Sequence, residues 1–254
     1  MTTTTATRAV RSQRPVERVA YAIGGMLLAA GAFHLVVFLI AGGSWEGPVS
    51  WRKPTTFGFS FGLTLITVTW ITSYLQLRPR TRAWLLGIFA ADCVLEVLGI
   101  SVQAWRKVPS HFNTETPFDA AVAMSLAFGG AVLVVVLGAF AVTAFRGRIR
   151  GDRDLRLALR AGWAFMLVGL ATGAAMIAKG TVAYRTVGPE VAYTTAGSLK
   201  PVHAVTLHAI LVLPLIAEVT RSLGWSPRSR LRTVAAATGL YVVATLVAAG
   251  LSLR

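Results

Sequence analysis

Histidines that could bind a cofactor stand inside long apolar runs of this sequence. His34 and His208 occur at similar depths in two such runs, and a pair of histidines on different helices is the arrangement that b-type haem requires. His203 lies five residues before His208, and five residues turn an α-helix through about 140°, so these two side chains face different directions. We therefore predict a haem b or metal site built from His34 and His208, with His203 as a further candidate metal ligand.

Two carboxylates and a lysine are also placed inside apolar runs. Asp92 and Glu96 are four residues apart, which puts both carboxyl groups on one face of a helix, where they could share a metal ion or a proton. Alternatively, one carboxyl stays protonated while Glu96 pairs with Lys179 of another run. Because ionisable groups in apolar surroundings are costly, we treat Asp92, Glu96 and Lys179 as candidate catalytic residues.

Basic and hydrogen-bonding residues accumulate where several of the apolar runs begin or end. Helix starts bind phosphates and carboxylates, because their first N–H groups are unpaired and the helix dipole is positive there. The connector 109–116 resembles a lid or recognition loop, or else a solvated turn, and Thr116 with Asp119 is typical of a helix cap. The expected anion-binding rim consists of Arg52, Lys53, Arg106, Lys107, His111, Asn113 and Lys200.

The runs that carry these residues are long enough to cross a bilayer, whose hydrocarbon core takes about 20 apolar residues of helix. The chain has 254 residues, 55% of them hydrophobic and 14% charged, with a mean hydropathy of +0.64, which indicates a membrane protein. Its connectors are short, so we predict one all-α transmembrane domain, 19–254, after a polar basic tail, 1–18. Seven helices are predicted, at 19–42, 54–75, 83–104, 117–145, 161–184, 202–223 and 233–253.

Glycines indicate where these helices meet. Gly58 and Gly62 form a Gly-x-x-x-Gly pattern in the second helix, and Gly162, Gly169, Gly173 and Gly180 recur along the fifth. Glycine lets two helix backbones approach closely. We interpret both patterns as contacts inside the bundle rather than as a dimer face.

The basic residues predict the orientation of the bundle, because Lys and Arg accumulate in cytoplasmic connectors. With the N-terminus in the cytoplasm, 17 of the 25 basic residues lie on the cytoplasmic side, and the C-terminus lies outside. The net charge of +15 thus reflects topology, and no nucleic-acid partner is expected. The excess of Arg over Lys and the Ala-rich helices favour a bacterial plasma membrane.

Three functional interpretations remain open. The first, favoured by the matched depth of His34 and His208, is a membrane redox protein that holds haem b and has a quinone as its partner. The second is a transporter or membrane-embedded enzyme acting on an anionic lipid or a small anionic solute. The third is a structural subunit of a membrane complex.

Several motifs that would identify a site are missing from the sequence. The single cysteine, Cys93, excludes the covalent attachment motif of c-type haem, and the nucleotide-binding Gly-x-x-x-x-Gly-Lys loop does not occur. Seven helices with membrane histidines and acids resemble integral membrane hydrolases of the ceramidase and adiponectin-receptor kind. The His-x-x-x-His spacing of helical zinc sites is absent from this chain, which weighs against that chemistry.

Overall fold

A computed structural model describes residues 14–147 and 149–252, and its regular elements are helices. A 3₁₀ turn, Thr72–Tyr74, continues the second helix. The helices are α1 Pro15–Ala41, α2 Arg52–Ile71, α3 Pro79–Trp105, α4 Pro117–Arg146, α5 Arg153–Thr186, α6 Pro189–Thr195, α7 Lys200–Ser222 and α8 Pro227–Ser252.

Seven helices within the described ranges are long and apolar enough to span a membrane, which confirms the predicted bundle. Their ends differ from the prediction, because polar residues continue the helices beyond the apolar runs. Thus α5 begins at Arg153, and α1 begins at Pro15, inside the expected tail, where the missing N–H of proline costs no hydrogen bond. Residues 1–13 of that tail lie outside the described residues. The short helix α6 was not predicted, because seven residues leave no hydropathy signal.

The helices form two groups. In the first, α1 packs against α2 and α3, and α3 also packs against α2 and α4. In the second, α5 packs against α7 and α8, which also pack against each other. The groups meet where α4 lies against α5 and where α2 touches α7. We call this boundary the seam.

Close approach of helix backbones confirms the predicted role of the glycines. A Cβ atom added at Gly58 of α2 would lie 2.6 Å from the Cα atom of Gly31 in α1, and one at Gly62 would lie 2.7 Å from the carbonyl oxygen of Gly24. A Cβ atom at Gly162 of α5 would lie 3.0 Å from the Cα atom of Ile210 in α7. Both sets of glycines therefore serve contacts inside the bundle.

Buried ion pairs and hydrogen bonds hold one end of the bundle together. Following the charge-based orientation, we call this the inner end and the opposite end, with the starts of α2 and α7, the outer end. Arg82 of α3 forms a buried ion pair with Glu17 of α1. Across the seam, the hydroxyl of Tyr74 donates to Glu218 of α7 at 3.1 Å, and the amide of Arg150 donates to the carbonyl of Tyr74 at 2.9 Å. The two helix groups are thus joined at the inner end.

Candidate functional site

His34 of α1 is buried at the outer end, and both of its ring nitrogens are engaged. Nδ1 donates to the carbonyl of Ala30 at 2.7 Å, and Nε2 lies 3.2 Å from Nε1 of Trp105, the last residue of α3. Because an indole N–H can only donate, Nε2 of His34 must accept, and the imidazole is neutral. The rings of Phe33 and Trp51 pack around it.

The other two histidines of the expected cofactor site belong to the second helix group. His208 is exposed on α7, and its Nδ1 donates to the carbonyl of Ala204 at 2.5 Å. His203 points toward α5, where its Nδ1 donates to the carbonyl of Gly169 at 2.7 Å. His34 has no free ring nitrogen, and His208 belongs to the helix group on the other side of the seam. As they are arranged, the two histidines therefore do not fit an axial haem pair. Residues 14–147 and 149–252 contain no cluster of three or more His, Cys, Asp or Glu that could hold a metal ion.

Asp92 and Glu96 share one face of α3, as predicted, and face Gly129 of α4. Both residues are buried, with 6% and 4% of their surface exposed. The ion pair considered between Glu96 and Lys179 does not form: Lys179 is exposed on α5, whereas α3 packs against α1, α2 and α4. Hydropathy predicted the helix that carries Lys179 but not the direction of its side chain.

Three cations of the expected rim meet at the outer end. Arg52 and Lys53 begin α2, Lys200 begins α7, and the charges of Arg52 and Lys200 both act on Lys53. The carboxylate of Glu46 lies 3.3 Å from Nε of Arg52, and Nζ of Lys53 donates to the carbonyl of Pro48 at 3.0 Å. We call Arg52, Lys53 and Lys200 the outer cation cluster. It lies across the seam and has one carboxylate beside it.

Buried hydrogen-bonding atoms without partners accompany this cluster. The hydroxyl oxygens of Ser50 and Ser198 are buried and form no hydrogen bond with any described part of the chain. Ser50 and Ser198 each stand two residues before the first residue of α2 and α7, respectively. Buried polar atoms of this kind nearly always have a partner, so both hydroxyls are candidate ligand contacts. Sequence inspection missed both serines, since serine before a helix is usually only a cap.

The connector between α3 and α4 covers the outer end. Nδ1 of His111 lies 2.9 Å from the hydroxyl oxygen of Ser110, and burial together with the nearby charge of Lys53 lowers the pKa of His111 to about 4. Asn113 is buried and stabilises the connector: its side-chain amide donates to Pro109 at 3.3 Å, and its side-chain oxygen accepts from the amide of Glu115 at 3.1 Å. His111 is thus a neutral neighbour of the cation cluster, and Asn113 has a local structural role.

Phe112 anchors this connector across the seam. Its backbone has a φ of 55°, and its ring packs against Tyr184 of α5 and Tyr193 of α6. A Cβ atom at Gly180 would lie 2.5 Å from the Cζ atom of Phe112, so a side chain at this position would displace the ring. The connector therefore joins the first helix group to the second at the outer end.

Arg106 and Lys107 do not belong to the cation cluster. Arg106 pairs with the buried carboxylate of Asp119 in α4, which also accepts from Nε2 of Gln103 at 2.8 Å. The amide of Asp119 donates to the hydroxyl of Thr116 at 3.1 Å, so the predicted cap is confirmed. Lys107 is exposed and has a φ of 59° where α3 ends. The rim expected from the sequence thus separates into the outer cation cluster and a part with structural contacts.

A small cavity lies next to the cation cluster. Its volume is about 10 Å³, which suits roughly one water molecule. It is lined by Pro48, Val49, Ser50, Lys53, Ile100, Ala104, Val108 and Ser110. The unpartnered hydroxyl of Ser50 therefore adjoins a space that a single small oxygen ligand would fill.

The chain matches no family model, no curated protein and no solved structure. Its fold is that of a multi-pass helical membrane protein.

Proposed function

We propose that this membrane protein binds the phosphate-bearing head group of an anionic lipid at its outer end, between the starts of α2 and α7. The observation that carries the proposal is the outer cation cluster together with two buried hydroxyls that lack partners next to its members: Ser50 lines a cavity with Lys53, and Ser198 stands two residues before Lys200. Each of these groups can donate a hydrogen bond to an anion.

An anion at this position would lower two energetic costs at once. Buried donors without partners each lose about 1–3 kcal/mol of hydration, which hydrogen bonds to phosphate oxygens would restore. The three positive charges repel one another, with Glu46 as their adjacent carboxylate. Charge-assisted hydrogen bonds to phosphate are stronger than those between neutral groups. The starts of α2 and α7 add their positive dipole ends.

The surrounding aromatic residues favour a lipid over a dissolved anion. Trp51 lies at the start of α2, and Trp105 at the end of α3 is 53% exposed. Trp45 packs against Phe38 near the end of α1. Tryptophans gather at the level of the lipid head groups, which supports a position of the cation cluster at the depth of the phosphate groups of the outer leaflet. A bound head group would also lie near the neutral imidazole of His111.

The test is thermal unfolding of the detergent-solubilised protein with added short-chain phosphatidylglycerol, short-chain phosphatidylcholine or inorganic phosphate. A ligand that binds only the folded protein raises the unfolding midpoint in proportion to its occupancy. We expect phosphatidylglycerol to raise the midpoint and phosphatidylcholine to leave it unchanged. In Lys200→Gln, the apparent affinity should fall about tenfold, as for the loss of one charge-assisted hydrogen bond. Arg228→Gln, an exposed cation at the inner end of α8, is the matched control.

The possible results separate the sources of the anion. If inorganic phosphate stabilises the protein as well as phosphatidylglycerol does at equal concentration, the ligand is a free anion rather than a lipid. Equal effects of phosphatidylglycerol and phosphatidylcholine, or an equal loss of affinity in Lys200→Gln and Arg228→Gln, would contradict the proposal.

A further inference from the structure

Asp92 and Glu96 direct their carboxyl groups at one point inside the bundle. A Cβ atom added at Gly129 of α4 would lie 2.7 Å from Oδ1 of Asp92 and 2.8 Å from Oε1 of Glu96. Both oxygens therefore occupy the space that a side chain at Gly129 would take. The second oxygen of Asp92, Oδ2, is buried and has no hydrogen-bond partner in the parts of the chain that the structure describes.

Charged groups of the surrounding helices are engaged elsewhere. On α1, Glu17 pairs with Arg82 at the inner end, and His34 is hydrogen bonded to Ala30 and Trp105. On α4, Asp119 pairs with Arg106 at the outer end.

The remaining titratable groups near the pair supply no positive charge to it either. On α2, Lys53 donates to Pro48 at the outer end, and Tyr74 donates to Glu218 at the inner end. Tyr21 of α1 lies near Glu17 and Arg82, and Cys93 of α3 is a buried thiol. None of the ion pairs formed by the described residues involves Asp92 or Glu96.

The energetics of this arrangement exclude two negative charges. A buried carboxylate without a cation or hydrogen-bond donors is strongly disfavoured in an apolar medium, and it takes up a proton instead. Two neighbouring carboxylates add mutual repulsion, so the first proton is held firmly. We propose that Asp92 and Glu96 form a proton-binding site within the membrane, which holds at least one proton between them at neutral pH.

The site is independent of the anion proposed at the outer end. Uptake of the proton forms one O–H bond on either Asp92 or Glu96, and the neighbouring carboxyl oxygen accepts the resulting hydrogen bond. Release returns the proton to water and leaves the pair with one more negative charge. Such reversible binding is the chemistry that intramembrane acids supply in proton relays.

Infrared spectroscopy of the full chain in lipid nanodiscs tests the proposal. At pH 7 we expect a carbonyl stretching band of a protonated carboxylic acid, which the double variant Asp92→Asn/Glu96→Gln loses. Absence of this band from the wild-type protein would overturn the proposal. A band that disappears when sodium or calcium chloride is added at constant pH would show that a metal cation, rather than a proton, occupies the pair.

Glycine variants of α4 provide a readout that a purely structural role of the acids would not change. Gly129→Ala adds a methyl group where the two oxygens converge, so the band should shift as the carboxyl groups separate. Gly130→Ala is the matched control, because a Cβ atom there has no neighbour within 4 Å. If the two variants gave the same band as the wild-type protein, the carboxyl groups would not share a proton at Gly129.

Labelling with a membrane-permeant carbodiimide, which reacts with protonated carboxyl groups, offers an internal control. Asp119 and Asp154 are as deeply buried as Asp92 and Glu96, but they lie beside Arg106 and Arg230. We expect peptide mass spectrometry to find the label on Asp92 or Glu96 and none on Asp119 or Asp154. Equal labelling of all four, or labelling of the two paired aspartates alone, would contradict the proposal.

Discussion

Nε2 of His34 accepts a hydrogen bond from Nε1 of Trp105 across 3.2 Å, which joins the outer part of α1 to the end of α3. A metal ion could bind His34 only by displacing this indole or the carbonyl of Ala30. The histidine with the best sequence position for a haem ligand is therefore engaged in helix packing at the outer end.

We accordingly expect no Soret band in the visible spectrum of the purified protein, oxidised or reduced with dithionite. The most informative variant is Trp105→Phe, which frees Nε2 of His34 while keeping an aromatic ring. It should lower the unfolding midpoint, because a net hydrogen bond is worth about 1 kcal/mol. A Soret band that is lost in both His34→Ala and His208→Ala would contradict this expectation and establish the haem b site.

The glycine contacts of α1 and α2 give a prediction about stability. Gly58→Ala should destabilise the protein by about 1–3 kcal/mol, the usual effect of overpacking, because the added methyl group meets the backbone of Gly31. Gly25→Ala is the control, since a Cβ atom there meets nothing within 4 Å, and alanine favours a helix by up to about 1 kcal/mol. Thermal unfolding in detergent measures both. Similar midpoints for the two variants would mean that α1 and α2 do not pack through Gly58.

Arg106 and Lys200 should behave differently although both are basic residues of the expected rim. Arg106→Gln removes the cationic partner of buried Asp119, so it should lower the unfolding midpoint and leave the affinity for phosphatidylglycerol within about twofold of the wild-type value. Lys200→Gln should leave the unfolding midpoint of the ligand-free protein unchanged, because Lys200 forms no ion pair among the described residues. It should instead lower the affinity for phosphatidylglycerol. The same unfolding titration measures both quantities. A large loss of affinity in Arg106→Gln would return Arg106 to the anion site.

His111 predicts a pH dependence of stability. Its pKa is about 4 in the folded protein and 6.5 ordinarily, so between these values the unfolded chain binds more protons than the folded one. Stability therefore decreases as the pH falls from about 6.5 to about 4, by up to about tenfold in the folding constant per pH unit. His111→Gln should reduce this decrease, as measured by unfolding midpoints at pH 5 and pH 7.5. An unchanged pH profile in His111→Gln would show that His111 is not buried as a neutral group.

The position of a residue along its helix could be predicted from the sequence, but the side of the helix on which its side chain lies could not. Hydropathy located the seven spans, and His34 and His208 were correctly placed within their helices. In a membrane bundle, however, both the lipid-facing and the buried positions are apolar, so periodicity does not show which side of a helix faces its neighbours. His208 and Lys179 are exposed, because they lie on sides of α7 and α5 that are not covered by neighbouring helices.

Part of the outer site could be predicted because it depends on residue type and helix ends. Arg52, Lys53 and Lys200 were expected together, since basic residues at helix starts attract anions. Ser50 and Ser198 were missed, because their importance lies in having no partner. The separation of Arg106 from the cluster depends on Asp119, whose burial follows from how α3 and α4 pack together.

The outer cation cluster has members on both sides of the seam. Arg52 and Lys53 belong to one helix group and Lys200 to the other, so their repulsion opposes contact between the groups at the outer end, while Tyr74, Glu218 and Arg150 keep the inner end joined. A bound anion would be held from both sides and would offset that repulsion. The affinity for the anion and the separation of the outer ends are thermodynamically linked. Any change that separates the outer ends must lower the affinity for the anion, and release of the anion must favour the separated state by the same free energy.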